Sequence, residues 1–77
     1  MMSKTREPNY QLRRQFGQRV RQLRKNLGLS QEELGFLTHI HRTYIGSIER
    51  GEQNISLDNI GRLAKKLSVT LPELFQL

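Results

Sequence analysis

The feature that most constrains this chain is the close succession of its helix-stop and helix-start signals. Gly28 ends one apolar-periodic run, and Ser30-Gln31-Glu32-Glu33 then opens the next. That tetrapeptide is a capping box: the serine hydroxyl accepts from the backbone N–H of Glu33, whose carboxylate reaches back to the serine N–H. Thr70-Leu71-Pro72-Glu73 repeats the device, with a proline in the first turn, where its missing N–H costs nothing. Gly51 closes another segment, as a C-terminal glycine does. A chain punctuated in this way has room for short helices, and it carries no strand signal.

The segments between these signals have helical periodicity. Asn9 caps a first helix in which Leu12, Phe16, Val20, Leu23 and Leu27 recur at steps of three and four. The second runs from Ser30 to about Thr38, with Leu34 and Leu37 on its inner face. His39 and Ile40 form a tight connection. A third helix covers 42–50. Ser56 caps a fourth over 57–67, with Ile60, Leu63, Ala64 and Leu67 inward. A last short helix carries Leu74, Phe75 and Leu77. The expectation is an all-α, compact five-helix bundle. It forms one domain over 9–77, preceded by a flexible basic tail over 1–8 that contains Lys4 and Arg6. With 77 residues, 35% of them hydrophobic, the core is modest, and a dimer contact would add stability.

Charge narrows the function. The net charge is +6, and residues 1–25 hold eight basic side chains against one acid, Glu7. Such an imbalance points to a polyanion, with nucleic acid first. A membrane surface would need a helix with a free apolar face, and the apolar faces here are used internally. No apolar run approaches the roughly 20 residues of a bilayer span. The N-terminus lacks the apolar core of a signal peptide, so a cytoplasmic location is expected. The chain has no cysteine, which excludes disulfides and thiolate chemistry. His39 and His41, without cysteine or a carboxylate cluster, do not make a closed metal site. Glu32 and Glu33 do different jobs at a helix start and are no acid–base pair. No nucleophile sits with a base and no glycine loop cradles phosphate, so no enzyme activity, cofactor or small-molecule ligand is expected.

On a helical wheel of the third helix, Tyr44, Ile45 and Ile48 fall on one side, and Arg42, Thr43, Gly46, Ser47 and Arg50 on the other. The second face is polar, small and basic. A mid-helix glycine costs about 1 kcal/mol against alanine, and small outward residues let a helix sit deep in the DNA major groove. Two helices joined by a short turn, the second with such a face, form a helix-turn-helix.

Residues 16–75 resemble the Cro/C1-type (Xre-like) helix-turn-helix family. The resemblance rests on Leu27-Gly28-Leu29-Ser30-Gln31-Glu32-Glu33-Leu34, Arg42-Thr43-Tyr44-Ile45, Ile48-Glu49-Arg50-Gly51 and Val69-Thr70-Leu71-Pro72-Glu73-Leu74-Phe75. With Asn54 these words are similar to restriction–modification controller proteins, and phage repressors share many of them. The family implies a lambda-repressor-like domain that binds double-stranded DNA and regulates transcription as a homodimer, with an antitoxin-like, partner-binding module as the alternative. It implies that Arg42, Thr43 and Ser47 face the bases. Arginine can pair with guanine O6 and N7, and threonine offers a methyl for thymine. Gln31, Arg50 and Asn54 would hold phosphates. Tyr44 is either a packing residue or one whose hydroxyl reaches DNA. Gly46 would permit close approach. His41 stands where the family has a better N-cap and is expected to point at DNA. Arg24 and Glu49 are expected to pair structurally. Leu71, Leu74, Phe75 and Leu77 are the expected dimer surface.

Overall fold

Asn9 starts the first helix by accepting a hydrogen bond from the Leu12 N–H at 3.0 Å. In this computed structural model, which describes residues 7–77, that helix is α1, Tyr10–Asn26. Lys4 and Arg6 lie outside the described residues. Then follow α2 (Gln31–Thr38), α3 (Arg42–Glu49), α4 (Leu57–Lys66) and α5 (Leu71–Leu74). Both capping boxes form, at Ser30 and at Thr70. Ser56 caps α4 through the Asn59 N–H.

Four of the helices stop in the same way, with a left-handed residue that lets the next N–H turn back to an earlier carbonyl. Gly28 (φ 71°) and Gly51 (φ 78°) do this after α1 and α3. His39 (φ 59°) and Ser68 (φ 60°) do it after α2 and α4. The back-bonds are Leu29 N to Arg24 O, Ile40 N to Gly35 O, Glu52 N to Ser47 O and Val69 N to Ala64 O, at 2.9–3.1 Å.

The core is built from every helix: Phe16 and Val20, Leu34, Ile45 and Ile48, Leu63, Ala64 and Leu67, and Leu74, with Ile40 from the α2–α3 turn. Helices α1 and α2 both pack on α3, α4 packs on α2, and α5 on α4. Where α1 crosses α3 the backbones nearly touch: a Cβ on Gly17 would collide with Ile48 O and lie 2.7 Å from Glu49 O. The guanidinium of Arg19 donates to the Glu73 carbonyl at 2.8 and 3.1 Å, which ties α5 back to α1. The rings of Phe16 and Phe75 pack 5.2 Å apart.

Several positions differ from the sequence expectation. Leu12, Leu27 and Leu37, assigned to inner faces, are 44%, 49% and 37% exposed. They lie at the ends or margins of their stripes. Leu74, assigned to a dimer surface, is fully buried. It seals the bottom of the monomer core, so the outward apolar residues of the C-terminal segment are Leu71, Phe75 and Leu77, at 51%, 42% and 48%.

Candidate nucleic-acid interface

Helix α3 is too short to hold its own orientation, and three polar side chains fix it. Arg24 of α1 donates twice to Glu49 of α3, at 2.6 and 2.9 Å, and once to the Leu29 carbonyl at 2.8 Å. Gln31 of α2 donates to the same Glu49 carboxylate at 3.0 Å. The Arg24 and Glu49 side chains are only 9% and 2% exposed. The hydrogen bonds to Glu49 hold the Arg24 guanidinium above its ordinary pKa, with burial opposing them. A buried, forked pair with every group satisfied sets geometry more than it adds stability. The expected Arg24–Glu49 pair therefore exists. Its third member, Gln31, was expected only on phosphate, and no local sequence signal joins residues 31 and 49.

The exposed end of α3 is its N-terminus. His41, Arg42 and Thr43 are all open to solvent. His41 caps the helix: its Nδ1 accepts from the Thr43 N–H at 3.0 Å. The expectation that histidine departs from capping here is corrected, because an imidazole nitrogen does the work of a serine hydroxyl, and the ring stays exposed at the α3 tip. Arg42 reaches the Glu32 carboxylate at 3.2 Å, with both side chains largely in water (63% and 73% exposed). A pair so solvated is weak and exchanges easily for another acceptor. Tyr44 is half-buried against the core.

Two residues assigned to the outer face lie inside. Ser47 is 7% exposed, and its hydroxyl donates to the Tyr44 carbonyl at 2.7 Å. Gly46 is covered by the ends of Gln31 and Arg50: a Cβ there would lie 3.3 Å from Gln31 Oε1 and 3.2 Å from Arg50 Nη1. A helix of 8 residues flanked by α1 and α2 is covered on most of its circumference, and a wheel alone does not show this. Gln31 and Arg50 thus flank one another over the middle of α3. Arg50 also forks onto Glu52, at 2.9 and 3.2 Å, which raises the arginine's pKa and lowers the carboxylate's. Asn54 is exposed in the loop after α3. The surface therefore offers His41, Arg42 and Thr43 at the tip of α3 and Gln31 and Arg50 over its middle, while Asn54 stands further along the loop, beside a cleft lined by Leu12, Arg13 and Phe75. The acids Glu32 and Glu52 were not foreseen as partners on this face.

Among the described residues no group of three histidine, cysteine or acidic side chains could hold a metal, and no helix is long and apolar enough to cross a membrane.

Comparison with known proteins agrees with this geometry. Residues 20–74 match the family model described as Helix-turn-helix (HTH_3). The control protein C.BamHI of Bacillus amyloliquefaciens is 54% identical over 55 residues, 70% of this chain and 68% of that protein. The restriction–modification controller protein C.AhdI of Aeromonas hydrophila superposes with a TM-score of 0.84 at 48% identity, covering 90% of this chain and all of that one. SinR, a master regulator for biofilm formation whose structure was determined in complex with DNA, has a TM-score of 0.74 at 34% identity, over 79% of this chain and 98% of its own. The chain belongs to the Cro/C1-type helix-turn-helix family of DNA-binding transcription regulators.

Proposed function

We propose that the protein acts as a controller-type regulator that reads a palindromic operator as a homodimer. One observation carries the reading of the operator. The α3 tip, with Arg42 and Thr43 free of the core, stands on a helix whose angle is fixed by the Arg24–Glu49–Gln31 network. Such a tip delivers a guanidinium and a threonine methyl to base edges in one defined pose. Gln31, Arg50 and Asn54 take the flanking phosphates. The control-protein names of the relatives support the controller role. The exposed Leu71, Phe75 and Leu77 support pairing of two copies, which would set two α3 tips about one DNA turn apart, roughly 34 Å. Occupancy would then depend steeply on protein concentration, which suits self-regulation.

Selection from a random duplex library, followed by anisotropy with wild type and Arg42→Ala, tests this. The expected result is a palindrome, with Arg42→Ala weaker by about 1–3 kcal/mol and indifferent to one base pair in each half-site. A library that yields no motif overturns the reading.

A further inference from the structure

The recognition helix is not the only cationic surface that the fold assembles. Arg14, Gln18 and Arg21 follow one another along a single face of α1, three and four residues apart. With Arg50 at the end of α3 they line an open concavity of about 450 Å³. The remaining lining residue, Glu49, is turned inward and occupied by Arg24 and Gln31. No ion pair engages Arg14 or Arg21 among the described residues. The turn after α3 lies directly on this face, since a Cβ on Gly51 would stand 2.8 Å from the Arg14 Cα. The cluster is therefore continuous with Arg50 and with the loop that leads to Asn54.

We infer that Arg14, Gln18 and Arg21 form a second phosphate-binding surface, which carries the DNA backbone from the end of α3 along α1. This rests on the reading of α3 as the recognition helix. The chemistry of the site is that of phosphate oxygens, which arginine forks and an amide suit well. The spacing selects a strand over a small anion. Seven helical residues set Arg14 and Arg21 about 10 Å apart along the axis. Phosphates of one strand recur roughly every 3.4 Å along the duplex. A strand meets both arginines at once, and a single phosphate ion does not.

The test uses the full chain and a duplex of about 30 base pairs, once with the selected site and once scrambled. Anisotropy is read as a function of salt. Each phosphate contact contributes about 0.9 to the slope of log affinity against log salt. The Arg14→Gln, Arg21→Gln variant should lower that slope by nearly two on both duplexes, with an unchanged melting temperature. Arg14→Lys, Arg21→Lys should restore most of it. An unchanged slope on both duplexes overturns the inference. So does a loss of inorganic tripolyphosphate binding, with DNA binding intact, in the glutamine pair, which would mark a small-anion site. Arg42→Ala is measured alongside. If it loses selectivity while the glutamine pair changes nothing, only the α1 surface fails. If Arg42→Ala keeps full selectivity, the recognition-helix reading itself fails.

Discussion

Gly46 is where the proposed binding role and helix stability pull in opposite directions. An alanine there would gain about 1 kcal/mol of helix propensity. Its Cβ would meet only the far ends of Gln31 and Arg50, at 3.3 and 3.2 Å, and flexible ends can move aside. We therefore expect Gly46→Ala to raise the melting temperature by a few degrees and to weaken operator binding, because the two side chains it displaces are those proposed to hold the phosphates. Opposite signs in a thermal melt and an anisotropy titration would bear this out, and equal signs would refute it. The glycine was legible as an anomaly in the sequence. Its neighbours were not, since they come from α2 and from the end of α3. The same holds for Gly17, whose purpose is visible only once α1 and α3 are known to cross there. Ser47 was misplaced because periodicity gives an angle around a helix and says nothing about how much of that helix is covered.

At the scale of elements, the starts of helices were easier to read than their ends. Ser30 with Glu33 and Thr70 with Glu73 are local chemistry, and the expected caps formed. Gly28 and Gly51 announced two of the left-handed stops. His39 and Ser68 gave no sign of the other two, because neither is the glycine that usually marks such a stop, and the back-bonds they permit are made by the residues that follow them. The caps also make the fold sensitive to acid. The Glu33 and Glu73 carboxylates accept the Ser30 and Thr70 N–H groups, which holds both below their ordinary pKa of 4.5. A depressed carboxylate contributes stability above its unfolded value, and this is lost as pH falls through the folded value. The melting temperature should therefore drop as pH is lowered below about 4.5, and the Glu33→Gln, Glu73→Gln variant should show a shallower drop. A profile identical to wild type would place the acid sensitivity elsewhere.

At the scale of the whole molecule, the bundle exposes three apolar side chains at its C-terminal end, and the proposed pairing of two copies places them together. Leu71 and Leu77 make this testable without disturbing the core, because Phe75 also supports Phe16 and they do not share that contact. Leu71→Glu, Leu77→Glu should weaken self-association by about 1–3 kcal/mol per leucine buried. Sedimentation equilibrium would then show monomer at concentrations where wild type is paired, with an unchanged circular dichroism spectrum. Identical association of both proteins would move the interface elsewhere. The arrangement of the interior has a consequence of another kind. Arg24 and Glu49 meet as a fork at 2.6 and 2.9 Å, and neither a shorter carboxylate nor a lysine reproduces that fit in one mutational step. The side chains of Arg42 and Thr43, by contrast, are exposed, and the Arg42 guanidinium has only the solvated Glu32 carboxylate for a partner. On the proposed reading, a lineage carrying this chain could exchange the letters assigned to the DNA while the frame that aims them stays locked, and so reach new operators without passing through an unfolded ancestor.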